Sequence, residues 1–470
     1  MGIKEEVKLN KWGYQVKTSS DKCISAINEY YNQVLSYGRK RSIILEAQIH
    51  DENCVLANIL AAHFLCSTNS SKVAIFLEAA KSNYDEATDY EKAVYDAVSY
   101  MMLDDRDDDV ALSLHFKLLN DFPRDLASLK RAQVLCFYMG KPGPSLDLVQ
   151  QVLPKNEGES YIYGMLAFPF LELDLMEDAE RAARNALEIN KLDFWAQHCL
   201  CHVLQFKCRF AEAVTFMEEC SPSWVSCASF MYTHNWWHVA LCYLEGHAPI
   251  ERAVDIYDHC IMTELDKPDA ARTEVFVNAL GLLLRLQVRG EIHIFEDRLK
   301  TLAEHLTDQA VWFAEWMLDI FILWALASTG KLSTGQQLLD DLRSRVANMN
   351  EKKQRVMQRG LDLAEALYEY GMGNYENALQ LFRADFDAND CKAIGASDEQ
   401  LDVFNEVWYT LLLNTGQADK VIEVIERRLK KREGVPFLWR LLEKGYSMIG
   451  SDEATTAAEK ANSLENSFFT

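Results

Sequence analysis

Two short segments of this 470-residue chain gather imidazoles at a spacing that could do chemistry. WAQHCLCH sets His198 and His202 four residues apart, and HNWWH sets His234 and His238 at the same interval. The chain has eleven histidines in all, so four in two segments is a cluster. At 3.6 residues per turn each pair lies on one helix face. Imidazole titrates near neutral pH, which suits proton transfer. Two histidines at i, i+4 also hold zinc or iron from a single face. The third reading is structural: a buried ring donates one proton to a neighbour and locks two helices together. Trp195 and Gln205 share the first stripe, and Trp237 and Leu241 the second. Glu172, Asp258 and Asp319 are the acids expected nearby, with Tyr163 and Tyr257 as further proton donors.

The elements that must position these groups are helices. Nine prolines and twenty glycines are few for this length, which disfavours a strand-and-turn fold. A hairpin pattern recurs, with a small residue opening the second helix at Ala179, Ala213, Ala253, Gly335, Ala378 and Val421. The first interval is 34 residues and the last two are 43 each. Helical hairpins of the tetratricopeptide type occupy about 34 residues. The partner helices are read at 161–173, 193–206, 230–245, 274–289, 311–328, 354–371 and 403–413, each with the helical apolar period. Upstream, 50–65, 90–102, 110–120 and 126–139 continue the pattern less regularly. Pro142, Pro144, Pro154, Pro222, Pro249 and Pro268 fall between helices, while Pro169 lies inside one and predicts a kink. The expected fold is all-α, a right-handed α-α superhelix running as one solenoid over 1–470. Residues 1–38 and 451–470 cap an array of hairpins over 39–450. In it the two histidine helices lead consecutive hairpins and stand side by side.

Composition narrows the function classes. Acids exceed bases by 71 to 48, a formal charge of −23, which repels nucleic-acid phosphates and anionic membranes. The expectation is therefore no nucleic-acid partner and no membrane. The opening residues have no apolar core of a signal peptide, and Gly2 is followed by Glu6 where lipidation needs Ser or Thr. The most apolar run, around 312–327, is broken by Glu315 and Asp319. A cytoplasmic location follows, and the twelve cysteines, without a C-x-x-C pair, read as reduced thiols. The sequence lacks the phosphate-binding loop, G-x-G-x-x-G, G-x-S-x-G and H-E-x-x-H, so nucleotide-dependent and serine-nucleophile chemistry have no support.

The stretches GMLAFPFLELDLMEDAERAARNALEINKLDFWAQHCLCHVLQ and HNWWHVALCYLEGHAPIERAVDIYDHCI resemble the tetratricopeptide repeat protein 38 family. KWGYQVKTSSDKCISAINEYYNQVL and FPRDLASLKRAQVLCFYMGKP resemble that family's amino terminus and its approach to the histidine region. The resemblance implies a tetratricopeptide-like α-solenoid of poorly defined biochemical role. It carries over His198, His202, His234, Asn235, Trp237, His238, Asp258 and Glu172. It also marks departures: Leu173 for a second acid, Gln205 for a glutamate, Asn278 for an aspartate, and Phe321 two residues after Asp319 for a histidine. Those changes imply a less charged site than the family's.

Two functions follow from these residues. In the first, a His-lined pocket binds a small molecule and performs acid/base chemistry, with His198, His202, His234, His238, Asp258 and Glu172 as the catalytic set. Tyr163, Trp195, Gln205, Trp237, Asp319 and Phe321 would then contact substrate, and an amine or iminium would suit the surroundings. A divalent metal, if one is held, falls to the four histidines. In the second, the chain is a non-enzymatic scaffold that binds a protein partner or a second copy of itself.

Overall fold

The computed structural model describes residues 7–67 and 70–469. Gly2 and Glu6, read above for a lipidation pattern, lie outside the described residues. Helices make up nearly all of the regular structure, in agreement with the expected all-α superhelical class. The chain divides into two compact units, Met1–Ala196 and Gln197–Thr470.

The first unit opens on a two-stranded antiparallel hairpin, Val7–Leu9 with Gln15–Lys17, which the sequence reading missed. Helix Asp21–Leu35 follows, its N-terminus capped by the Ser20 side chain accepting from the Cys23 amide. Buried Glu91 ties the hairpin to the helices: its carboxylate accepts from the amides of Lys17 (2.9 Å) and Thr88 (3.1 Å). The helix read over 50–65 starts only at Val55 and runs to Leu65, behind a separate helix Ile43–His50. Asp51 separates the two by accepting from the Asn53 amide, an Asx turn that competes with the helix ladder. Pro142 and Pro144 are also corrected, because they form the first turn of helix Pro142–Val152, where a missing N–H costs no hydrogen bond. Helix Ile162–Glu172 runs through Pro169.

In the second unit the expected partner helices appear as Ser229–Glu245, Arg272–Val288, Trp316–Ser328, Glu351–Gly371 and Asp398–Asn414. Ser229–Glu245, Arg272–Val288, Trp316–Ser328 and Glu351–Gly371 pack in succession, and Arg272–Val288 also packs on Asp398–Asn414. Trp316–Ser328 is apolar almost all round because every face is covered; all residues from Met317 to Ala327 are buried. Outer helices keep a single stripe, as in Ala418–Arg432 with Val421, Val424, Ile425 and Leu429 turned inward. The predicted small residues do what their size requires. A Cβ added at Gly335 would come within 2.6 Å of the Tyr368 ring, so the helix Leu332–Ala347 approaches its partner through the glycine.

Candidate functional site

The two histidine helices are Phe194–Phe206 and Ser229–Glu245. Their four imidazoles meet inside the second unit. His198, His202, His234 and His238 are at most 2% exposed, and one ring nitrogen from each lies within 4.8 Å of the others. Ring centroids of His202 and His238 stand 4.1 Å apart, and those of His198 and His234 4.9 Å. Nε2 of His198 and Nε2 of His202 approach to 2.8 Å.

Side chains behind the rings fix which nitrogen carries the proton. The Asn278 amide donates to Thr233 Oγ1 (2.9 Å) and to the Glu274 carbonyl (3.0 Å). Its Oδ1 therefore faces His234 Nδ1 at 2.8 Å, and Nδ1 must donate. The Gln205 amide likewise donates to the Glu245 carboxylate (3.0 Å), so its Oε1 accepts from His238 Nδ1 at 3.1 Å. Behind His202, the Glu399 carboxylate stands 2.5 Å from Nδ1. With Nδ1 protonated, Nε2 of His234 and His238 carries a lone pair, and so does Nε2 of His202 when that ring is neutral. The rings cannot turn freely, because His234 is stacked between Phe230 (4.8 Å) and Trp237 (5.2 Å).

Burial sets the charge. It drives His234 down to about 3, against the hydrogen bond to Asn278, and His198 and His238 well below the usual imidazole range, with the neighbouring histidines adding to the effect. Those three rings are neutral at pH 7. Burial would raise the Glu399 carboxyl, but the charge and contact of His202 outweigh it and hold the acid below its ordinary value. Around this centre lies an ionic shell, part of it fully buried. Arg432 pairs with Glu245 (2.7 Å), Arg289 with Glu406 (2.6 Å), and Arg428 with Asp402 (2.8 Å). Arg285 donates to the Glu399 backbone carbonyl and lies beside the Trp237 ring.

The other candidate residues have separate surroundings. Asp258 sits in a π-helical turn, Tyr257–Ile261, and forms a two-point pair with Arg298 at 2.6–2.7 Å, a third exposed. Asp319 Oδ1 accepts from the Phe313 amide (2.9 Å), and burial pushes its carboxyl up to about 7. Phe321 packs against Phe404, with centroids 5.7 Å apart. Tyr163, Glu172 and Trp195 belong to the first unit. Trp195 stacks on Tyr37 there (5.1 Å) and meets Phe168 (4.8 Å). The space lined by Trp237, Asn278, Gly281, Arg285, Phe321 and Gln400 is too tightly filled to admit a water molecule.

Sequence reasoning missed Glu399, Glu245 and Arg285. Each reaches the centre from a helix that nothing in the histidine segments announces. Gln205 and Asn278, read as marks of a less charged site, are the groups that orient two of the rings.

A model of the cohesin loading factor family matches residues 279–423, less than half of the chain. That match includes Glu399 and excludes both histidine helices. Among solved structures, a human IFIT1 dimer with PPP-AAAA aligns with a TM-score of 0.42 at 12% identity, over 95% of this chain and 96% of that one. A human IFIT1 dimer with m7Gppp-AAAA gives 0.38 at 12% identity, covering 96% and 91%. An IFIT1 monomeric mutant with Gppp-AAAA gives 0.39 at 12%, covering 95% and 96%. The expectation of no nucleic-acid partner is corrected here: these helical neighbours are solved with Gppp-AAAA, m7Gppp-AAAA or PPP-AAAA. Net charge averages over the whole surface and does not speak for any one face. Among the described residues, no helix is long and apolar enough to cross a membrane.

Proposed function

We propose that this chain is a non-enzymatic helical scaffold for protein partners, its second unit held together by the buried histidine centre. The observation that carries this reading is closure. All four imidazoles are at most 2% exposed, and the space beside Trp237 and Phe321 has no room for a water molecule. Acid/base catalysis needs a reacting atom within hydrogen-bond reach of its base, and rings buried this completely are shut off from a substrate in solvent. Asp258, committed to Arg298, and Asp319, committed to the Phe313 amide, have structural partners of their own.

The proposal extends to the chain as a whole. It is a cytosolic tetratricopeptide-like solenoid, capped at 1–38 and 451–470, of the tetratricopeptide repeat protein 38 family. His198, His202, His234 and His238, with Gln205 and Trp237, make up its working centre, and Glu172, Tyr163, Trp195 and Phe321 serve helix packing.

Diethyl pyrocarbonate labelling of the native protein, read by mass spectrometry, tests this reading. Exposed His293 and His305 should react while the four central histidines stay unmodified. Reaction of His198 or His238 at a rate comparable to His293 would overturn it and restore the accessible, catalytic pocket.

A further inference from the structure

We propose that His198, His202, His234 and His238 form a closed tetrahedral site for a divalent late first-row transition metal of the zinc class. The inference deepens the closed-centre reading above and names what the centre holds.

Three observations converge on a cation. First, the four ligand nitrogens lie within 4.8 Å of one another. A tetrahedron with metal–nitrogen bonds of about 2.0–2.1 Å has edges of about 3.4 Å, so small ring movements complete it. Second, the partners behind the rings turn the lone pairs inward. Asn278 and Gln205 accept from Nδ1 of His234 and His238, and Glu399 faces Nδ1 of His202. A carboxylate or amide behind a ligating imidazole fixes its tautomer and strengthens it as a donor. Third, His238 Nε2 is fully buried and has no protein hydrogen-bond partner. A buried polar atom in that condition needs an explanation.

A metal-free arrangement explains less. With His202 doubly protonated, it would donate Nε2–H to His198 Nε2 across the 2.8 Å contact while facing Glu399. That accounts for one contact and leaves Nε2 of His238 unsatisfied in the core. A divalent ion accounts for both at once.

The donors also select the metal. Four imidazoles and no oxygen exclude calcium and magnesium, which demand oxygen ligands, and suit zinc, cobalt, nickel or copper. Four protein ligands leave no open position, the pattern of a structural site. The ion would join helix Phe194–Phe206 to Ser229–Glu245, and through Glu399 its charge would be answered from helix Asp398–Asn414.

Cobalt(II) is the direct probe. The full chain, stripped with a chelator and verified as folded by circular dichroism, is titrated with CoCl2 and then with ZnCl2. One equivalent of cobalt should give the intense visible absorption of tetrahedral cobalt, and zinc should abolish it. Glu399→Gln, which keeps the shape of the carboxylate, should still fold and bind about 10- to 100-fold more weakly. His238→Ala should bind none. Absence of the band in folded wild type, or an unchanged band in His238→Ala, would overturn the metal site. If the four histidines nonetheless stayed protected from diethyl pyrocarbonate, the scaffold reading would survive that loss.

Discussion

Glu399 places its carboxylate 2.5 Å from Nδ1 of His202, so a residue late in the chain completes a centre whose histidines lie near its middle. Glu399 sits in the first turn of helix Asp398–Asn414, behind a capping box in which Ser397 and Gln400 exchange hydrogen bonds. The positive end of that helix favours an ionised acid there. Glu399→Ala strands a buried imidazole and removes the charge that faces it. The expected loss is about 3 kcal/mol in chemical unfolding of the second unit, against about 1 for Glu399→Gln. Equal, negligible losses would show that the contact carries no stability.

Asn278→Asp tests the orientation argument at His234. The new carboxylate still accepts from Nδ1, but its second oxygen replaces an amide that donates to Thr233 Oγ1 and the Glu274 carbonyl. Two acceptors then face each other in the core. Destabilisation of about 1–3 kcal/mol is expected from urea titration. A variant as stable as wild type would mean that the charge is welcome and the Asn278 amide is not the orienting group.

Two glycines in the second unit should differ in their tolerance of alanine. A Cβ at Gly371 would meet the Trp324 carbonyl oxygen at 2.7 Å and the Ala327 Cβ at 2.8 Å, while one at Gly335 meets the edge of the Tyr368 ring at 2.6 Å. A ring can shift and a helix backbone cannot without parting the helices. Thermal unfolding should show Gly371→Ala as the more damaging change, by about 1–3 kcal/mol relative to wild type. The reverse order would contradict the packing.

The first unit should weaken in mild acid because of His115. This ring is fully buried, with Nδ1 donating to the Ala111 carbonyl at 2.8 Å. Burial, with the Arg131 charge adding, lowers it to about 4. In the unfolded chain the value is about 6.5, so the unfolded state takes up the proton first as pH falls. The contribution is complete above about pH 6.5 and shrinks towards pH 4, by roughly 3 kcal/mol. Guanidinium unfolding across that range should show the slope in wild type and a flatter one in His115→Gln. Parallel slopes would exclude His115 as its source.

Much of the architecture was readable from periodicity. The helix expected at 193–206 is Phe194–Phe206, and that expected at 354–371 is Glu351–Gly371, because their apolar stripes run uninterrupted. The hairpin Val7–Leu9 with Gln15–Lys17 escaped because three-residue strands are too short to establish an alternating pattern. The histidine pairs were legible because i, i+4 spacing is a local property. Their partners were not. Gln205 and Asn278 looked like lost charges until the structure showed each amide pinned on its donor side, which decides what its oxygen does. Asp258 was drawn into the site by its neighbourhood in sequence, while Arg298, forty residues on, claims it.

X-ray absorption on the zinc-loaded protein tests the closed metal centre most directly. The account predicts four imidazole nitrogens at about 2.0–2.1 Å and no further light-atom ligand. Three imidazoles with an exchangeable oxygen in the fourth position would contradict it, because an open coordination site belongs to a catalyst and not to a clip between helices.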